Sequence, residues 1–283
     1  MITLPALSSL RSLFPRLLCG LLTSLALAQA AHADITPVSA AQCARMKSSK
    51  VITAGNPVPC QRLATVSFDY NDSEGAVRRG AVVVLDAIAP EVEALFGELL
   101  LRSFPLAGAQ PMEAFEGDDQ RSMAANNTSA FNGRPMTGGG GWSKHAYGAA
   151  IDINPLQNPY VSQAGSPTQE VLPPAGSAYL ERSPVRSGMA EDVISVFHDH
   201  GFLVWGGHWK QPIDYQHFEI GSRAFIQRLA SLPRPQARAE FGRYVSAYRQ
   251  CAHSGASTTG GDEDEDTPED TTLRDQCAAR LKK

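Results

Sequence analysis

Two long stretches rich in glycine and proline, residues 106–144 and 155–187, limit how much of this chain can form regular structure. Loops of that length are uncommon inside compact domains, and they are usually functional or mobile. The 43% hydrophobic content nevertheless excludes a collagen-like or wholly disordered chain. A packed core must therefore be built from the segments that flank the two stretches.

The flanking segments predict both strands and helices. Residues 66–70 and 80–85 are typical of short strands, because β-branched residues cluster there between turn-forming residues. From Pro90 onwards, apolar residues recur at helical spacing along one face. Further helices are predicted over 189–200, 222–230 and 236–249. The pattern indicates one α+β domain without internal repeats.

The first 33 residues are predicted to be a secretory signal peptide. Arg11 and Arg16 precede an apolar run over 17–28, and Ala31 and Ala33 supply the small residues of a cleavage site. A membrane anchor is the alternative, but a span needs about 20 apolar residues. We therefore expect an exported protein, periplasmic or secreted, with no integral membrane span in the mature chain.

Export affects how the cysteines are interpreted. Four of them follow the signal peptide, and none forms a C-x-x-C pair. An even number in an oxidising compartment favours two disulfides. Three connectivities are possible, and we predict the pairs that are local in sequence, Cys43–Cys60 and Cys251–Cys277.

Composition also suggests where the folded domain begins and ends. Residues 34–64 are mixed and contain proline, which predicts an N-terminal lead-in before a domain over 65–250. Residues 251–283 are predicted to be an acidic disordered tail with a short C-terminal segment, because the run 254–272 cannot bury a core. The formal net charge of −4 excludes a typical basic nucleic-acid binder, so no nucleic-acid partner is expected.

Histidine and aspartate recur in two short segments, residues 142–154 and 205–220, each of which begins with tryptophan. In the first, Asp152 lies between two isoleucines of a strand-like run, where a buried charge is costly without a partner such as a metal ion. In the second, residues 215–220 alternate like a strand that carries His217, and Asp214 precedes this histidine by three positions.

Two histidine nitrogens and one carboxylate oxygen, with a fourth position open for water, form the pattern of a catalytic zinc site. A neighbouring carboxylate that does not bind the metal can transfer the proton of the attacking water. The alternative is that these are ordinary polar residues of the core or surface. That alternative weakens because histidine and aspartate recur in both segments.

The first segment contains S-x-H-x-x-G-x-A-x-D, from Ser143 to Asp152, and W-G-G-x-W and D-x-x-H-F-E follow it. Over residues 112–222 these motifs resemble the D-alanyl-D-alanine carboxypeptidase/L-alanyl-D-glutamate peptidase family of zinc metallopeptidases, which act on peptidoglycan stem peptides. The resemblance implies a small α+β core like that of Hedgehog-type and lysostaphin-type folds. In such a core, a small antiparallel sheet carries the zinc site and helices flank it.

The resemblance also implies roles for individual residues. It makes His145, Asp152 and His217 the ligands of a Zn²⁺ ion, and it makes Asp214 the general base. Glu219 is open to two interpretations: a hydrogen-bond partner of a metal-binding histidine, or a solvated strand residue.

One departure from the family concerns arginine. Many relatives have an S-G-Y-R strand whose arginine holds the substrate or polarises the scissile carbonyl, and this motif is absent here. Arg134 is the closest match, and Arg121 is the alternative. For substrate binding we predict Ser143 together with the two aromatic residues Trp205 and Trp209, since aromatic walls are usual in ligand clefts.

The resulting prediction is an exported zinc metallopeptidase that hydrolyses an amide bond in peptidoglycan stem peptides or muropeptides, most like a D-alanyl-D-alanine carboxypeptidase. The alternative is a non-catalytic cell-wall-binding module that retains a zinc site. Dipeptidase and endopeptidase activity stay open as well, because the stretch 155–187 is expected to shape the choice of bond.

Overall fold

The structure is a computed structural model, and it describes residues 1–2, 34–254 and 268–281. The contacts divide the chain into Met1–Ala30 and Ala31–Lys283, and every element below belongs to the second unit. The predicted signal peptide lies outside the described residues, apart from its first two. Among the described helices, none combines the length and hydropathy that a bilayer crossing requires.

The described residues form helices and three small antiparallel sheets, which confirms the predicted α+β class. The strands are β1 (Asp34–Pro37), β2 (Leu63–Asn71), β3 (Val77–Leu85), β4 (Ala150–Asp152), β5 (Tyr160–Ser162), β6 (Glu170–Leu172), β7 (Val204–Trp205), β8 (Ile213–Asp214) and β9 (His217–Glu219). The helices are α1 (Ala40–Ser48), α2 (Ala89–Leu101), α3 (Asp119–Ala124), α4 (Ile194–Asp199), α5 (Arg223–Ser231), α6 (Arg234–Ala252) and α7 (Pro268–Leu281).

The first sheet has the order β1-β2-β3 and supports most of the core. β2 and β3 form a hairpin in whose turn Asp72 Oδ1 accepts hydrogen bonds from the backbone N–H groups of Glu74 and Ala76. Helix α2 lays its apolar stripe against this sheet, and the rings of Phe68 and Phe96 stack with centroids 3.6 Å apart. The two predicted strands and the first predicted helix are confirmed, each with somewhat wider bounds.

The second sheet has the order β4-β9-β7, and its register places Asp152 directly opposite His217. Phe218, between the polar residues of β9, is buried and stacks on Phe197 of α4 with centroids 3.8 Å apart. The strand predicted over 215–220 is real but shorter, because β9 covers only its centre. On the adjacent strands β4 and β9, the polar side chains of Asp152 and His217 therefore point away from the core.

Gly148 joins the first two sheets. It ends a 3-10 turn, Lys144–Tyr147, in a left-handed conformation with φ of 66°, and its carbonyl accepts a hydrogen bond of 2.9 Å from the N–H of Leu85. A Cβ atom at this position would lie 2.5 Å from the Leu85 nitrogen. Only glycine allows this approach of the two backbones, so the turn that precedes β4 has a fixed position.

The third sheet has the order β6-β5-β8, and two of its strands, β5 and β6, lie within the predicted loop stretch 155–187. Tyr160 of β5 is opposite Asp214 of β8, so the glycine- and proline-rich stretch 155–187 contains strands as well as loops. The segment after β7 passes close to β8, because a Cβ atom on Gly206 would lie 2.4 Å from the backbone oxygen of Asp214. The close approach of Gly206, in the W-G-G motif, thereby fixes the position of β8, the strand that carries Asp214.

Helices from the second half of the chain complete the core. The helix predicted over 189–200 is divided into a 3-10 turn, Ala190–Val193, and the α-helix α4. The helices predicted over 222–230 and 236–249 are confirmed as α5 and α6.

Both predicted disulfides are present, Cys43–Cys60 and Cys251–Cys277. The N-terminal lead-in is more ordered than its composition indicates, since it contains β1, paired with β2, and α1. The disordered tail predicted as far as residue 272 is wrong for its described part, because α7 begins at Pro268. Residues 255–267 of that predicted tail lie outside the described residues.

Candidate metal centre and cleft

Three side chains direct their donor atoms to one point. His145 Nε2 lies 3.2 Å from Asp152 Oδ1, His217 Nδ1 lies 3.0 Å from the same oxygen, and the two nitrogens are 3.1 Å apart. The three side chains are only 5%, 14% and 8% exposed, respectively. The predicted ligands therefore form a compact triangle of donors that could hold a metal ion.

The secondary structure explains this convergence. Asp152 and His217 are opposite residues on paired antiparallel strands, where facing side chains are close neighbours. His145 arrives from the 3-10 turn before β4, and Ser143 Oγ accepts a hydrogen bond of 3.2 Å from the His145 N–H at the start of that turn. Two strands and one capped turn thus position the three donors.

Hydrogen bonds on the far sides of the rings decide which nitrogen faces the centre. His145 Nδ1 lies 2.5 Å from the backbone oxygen of Ala130, and His217 Nε2 lies 3.0 Å from Glu219 Oε2. A carbonyl or carboxylate oxygen accepts, so these two nitrogens carry the hydrogens. His145 Nε2 and His217 Nδ1 are then the nitrogens available to a metal ion.

The pKa shifts show that the centre favours a positive charge. Burial lowers the pKa of His217, but hydrogen bonds and charges from Asp152 and Glu219 outweigh burial and raise it to about 10. Burial raises the pKa of Asp152, yet the charges and hydrogen bonds of His145 and His217 hold it well below its usual value. A metal cation bound between the donors would supply the same positive charge.

The donor triangle is close to the size that a tetrahedral metal ion requires. Ligand atoms about 2.0–2.2 Å from such an ion lie about 3.3–3.6 Å apart. The observed separations of 3.0–3.2 Å need only small side-chain adjustments to reach those values. Two imidazole nitrogens and one carboxylate oxygen also form a donor set that suits first-row divalent metals.

The donors lie in the wall of a cleft of about 540 Å³, and Asp214 lines the same cleft. Its Oδ1 atom is buried and has no hydrogen-bond partner among the described residues. Burial, together with the negative charge of Asp152, raises the pKa of Asp214 to about 6. A carboxylate in this state can accept a proton close to neutral pH.

The comparison with protein families agrees with this geometry. Residues 137–220 match the family model described as D-alanyl-D-alanine carboxypeptidase. The match confirms the predicted resemblance over this segment, which is narrower than the predicted range 112–222. Searches of curated proteins and of solved structures each found no match to the chain.

The matched segment includes all three candidate ligands and Asp214, whereas Arg134 lies just before it. Arg134 lines the cleft and forms an ion pair with Asp119. Arg121 instead forms an ion pair of 2.6 Å with Glu116 and is not among the residues that line this cleft. Of the two predicted arginines, the structure brings only Arg134 to the candidate site.

The residues predicted to bind substrate have different positions. Ser143 and Trp209 line the cleft, and the Trp209 ring lies 5.3 Å from the ring of His217. Trp205 does not line the cleft; its ring packs on Phe218, and its Nε1–H donates to the Tyr215 oxygen. The prediction that Trp205 forms the cleft wall is therefore wrong.

Sequence reasoning missed other polar residues of the cleft. Gln216 is only 3% exposed and lines the cleft, and its Oε1 atom has no hydrogen-bond partner within the described residues. Arg223 also lines the cleft, and one of its guanidinium nitrogens donates to the backbone oxygen of Trp142 at 2.7 Å. Gln216 lies inside D-x-x-H, but it occupies a position that the motif leaves open.

Proposed function

We propose that this protein is a zinc-dependent peptidase that hydrolyses an amide bond in peptidoglycan stem peptides. The observation that carries the proposal is the placement of three metal-donor atoms and the Asp214 carboxylate, whose buried Oδ1 atom has no hydrogen-bond partner among the described residues, in one cleft. The match to a family model described as D-alanyl-D-alanine carboxypeptidase supports the choice of a carboxypeptidase-like reaction.

Zinc is the proposed metal because two histidines and one carboxylate are a common catalytic zinc set. His145, Asp152 and His217 would hold the ion. When bound, zinc would polarise the scissile carbonyl and lower the pKa of a water molecule to about 7.

The remaining steps belong to residues of the chain. Asp214 accepts the proton of the attacking water and returns it to the leaving amine, a role that suits a carboxylate whose pKa is raised to about 6. Arg134 donates hydrogen bonds to the substrate carboxylate or to the developing oxyanion, for which a guanidinium is suited. Ser143 orients the turn of His145, and Trp209 supplies an apolar wall.

We further propose that the protein acts outside the cytoplasm. Two disulfides are typical of oxidising compartments, and the basic and apolar residues near the start of the chain have the pattern of a signal peptide. Muropeptides occur in the same compartment, so the proposed location agrees with the proposed substrate.

The test is product analysis by mass spectrometry on defined muropeptides, with the purified protein loaded with zinc. We expect release of an amino acid or peptide, loss of release after chelation, and recovery when zinc is restored. His145→Ala and Asp214→Asn should each reduce turnover by at least about a hundredfold. His208→Ala is the matched control, because His208 contacts the ring of Trp205 and does not line the cleft.

The outcomes separate the peptidase from its main alternative. Stoichiometric zinc without turnover on any stem peptide would favour a non-catalytic wall-binding module. Undiminished turnover in Asp214→Asn would remove Asp214 from its proposed role. The identity of the product distinguishes carboxypeptidase from dipeptidase and endopeptidase activity.

A further inference from the structure

A largely buried ion pair, Lys144 with Glu219, lies beside the candidate metal centre, and both of its residues line the same cleft. Lys144 Nζ lies 2.6 Å from Glu219 Oε1 and donates a second hydrogen bond of 2.9 Å to the backbone oxygen of Gly221. The two side chains are only 14% and 11% exposed. Lysine and glutamate are rarely buried, because removing their charges from water is costly unless each charge is paired.

The pair connects the two segments that carry the candidate ligands. Lys144 immediately precedes His145 in the same 3-10 turn, and Glu219 follows His217 by two residues in β9. Glu219 uses both oxygens: Oε1 contacts Lys144, and Oε2 accepts from His217 Nε2 at 3.0 Å. One carboxylate therefore holds the histidine ring on one side and the lysine of the other segment on the opposite side.

The arrangement leaves Glu219 little freedom. If its carboxylate rotated away from the imidazole, it would lose the bond to His217 in a site where water is largely excluded. The lysine ammonium, which also donates to the Gly221 carbonyl, holds the carboxylate in this orientation. A carboxylate that accepts from the far nitrogen of a metal-binding histidine orients the ring and strengthens it as a ligand.

We propose that Lys144 and Glu219 act as a positioning pair that fixes His217 with Nδ1 directed at the metal ion and thereby sets the affinity of the site. The proposal rests on the proposed zinc site. Neither Lys144 nor Glu219 has a catalytic role in this proposal. Lys144 acts through Glu219, and Glu219 acts through His217.

A purely structural role is the competing explanation. In that case the ion pair would only join the turn of His145 to β9, and its removal would lower the stability of the fold without changing the metal site specifically. Measurements of metal affinity and metal spectra separate the two roles. An ion pair that only stabilises the fold would not alter the ligand field of the metal ion.

The experiment measures the zinc dissociation constant of the full chain by competition with a chromophoric chelator. We expect Glu219→Gln to weaken zinc binding about 10- to 100-fold. Lys144→Met should weaken it less, and the double variant should lose less than the product of the two single losses, because both act through one ring. Lys144→Arg keeps a cation and should retain most of the affinity.

Cobalt(II) provides the second readout. The visible absorption of the cobalt-loaded protein reports the ligands of the ion, and we expect Glu219→Gln to shift it. Glu240→Gln is the matched control, because Glu240 is also ion-paired, with Arg228, and neither of these residues lines the cleft. This control should leave zinc affinity and the cobalt spectrum unchanged.

Unchanged zinc affinity and an unchanged cobalt spectrum in Glu219→Gln would overturn the positioning role while leaving the zinc peptidase proposal intact. Absence of zinc binding in the wild-type protein would overturn both proposals. If Glu219→Gln does not fold without metal, Lys144→Met decides: weaker zinc binding supports the pair, and unaltered binding overturns it.

Discussion

Asp152 and His217 are opposite residues on neighbouring antiparallel strands, with Asp152 Oδ1 3.0 Å from His217 Nδ1. The two residues are 65 positions apart in the chain, and strand pairing alone brings them together. His145 completes the triangle from the turn that precedes β4. The candidate site is therefore built on paired strands and a capped turn, and such rigid elements favour tight and selective metal binding.

The first prediction concerns metal-linked stability. A ligand that binds only the folded state stabilises it by about 2.7 kcal/mol at about a hundred times its dissociation constant. For a chain of this size that corresponds to a rise in Tm of about 5–10 °C. We expect zinc to produce such a rise in differential scanning calorimetry, and Asp152→Asn to abolish it at the same zinc concentration.

The control for this experiment is Asp192→Asn, an exposed aspartate in the 3-10 turn before α4. It should retain the full zinc-dependent rise. A normal rise in Asp152→Asn would contradict the role of Asp152 as a ligand.

The second prediction concerns the pH dependence of turnover. Burial and the charge of Asp152 raise the pKa of Asp214 to about 6. A general base works only when ionised, so kcat/KM should increase with pH through an acidic limb. A nearby cation favours the ionised form, so the limb of the zinc-loaded enzyme should lie at or below about pH 6.

The measurement is kcat/KM on a defined stem peptide across the acidic range, for the wild-type protein and for Asp214→Asn. The residual activity of the variant should lack this limb. The same limb with the same midpoint in Asp214→Asn would assign the titration to another group.

Sequence reasoning predicted the candidate site best at the residues that lie on regular strands. The isolated charge of Asp152 in an apolar run and the motif around His217 predicted a shared cation, and the structure places both residues on paired strands. Strand pairing made this possible, because a register that buries Phe218 leaves His217 on the opposite face. The resemblance to a peptidase family implied the third candidate ligand, His145, and the candidate base, Asp214.

Tertiary contacts inside the loops were beyond sequence reasoning. Arg134 pairs with Asp119 across a stretch without periodicity, so no pattern indicates that partner. Trp205 and Trp209 belong to one motif, yet the 3-10 turn Gly206–His208 between them directs one ring to the core and the other to the cleft. Strands of two or three residues, such as β8, are also too short for an alternating pattern to predict.

The third prediction concerns stability in acid, away from the cleft. Glu91 Oε2 lies 2.8 Å from His200 Nδ1 and 2.8 Å from an Arg249 nitrogen. Burial raises the pKa of Glu91, but the bonds and charges of His200 and Arg249 outweigh it and lower the pKa below its ordinary 4.5. A lowered folded-state pKa stabilises the protein above the unfolded value, and this stabilisation is lost as pH falls through the folded value.

Glu91→Gln should therefore lower the free energy of unfolding by about 1–3 kcal/mol near neutral pH. The difference from wild type should shrink as the pH falls below about 4.5 and through the lower folded pKa. Urea unfolding at neutral and acidic pH measures both values. Glu93→Gln, on the same helix, is the control, and a pH-independent deficit in Glu91→Gln would argue for a packing defect instead of a lost charge interaction.

The fourth prediction tests whether the backbone junction at Gly148 sets the position of the metal ligands. Alanine at this position would meet the Leu85 nitrogen at 2.5 Å and would also be strained by the left-handed φ of 66°. Gly75→Ala is the matched control, because Gly75 has a similar φ of 78° but nothing within 4 Å of its added Cβ. We expect Gly75→Ala to cost about 1 kcal/mol of unfolding free energy and Gly148→Ala to cost more.

The two variants should also differ in zinc affinity. The N–H of Gly148 donates to the backbone oxygen of His145 at 2.9 Å, so a displaced Gly148 moves the turn that carries this ligand. Chelator competition should show weaker zinc binding for Gly148→Ala and wild-type binding for Gly75→Ala. If Gly148→Ala lost stability but kept wild-type zinc affinity, the junction would support the fold without positioning the ligand, and the placement of His145 would depend on its contacts with Ser143 and Ala130.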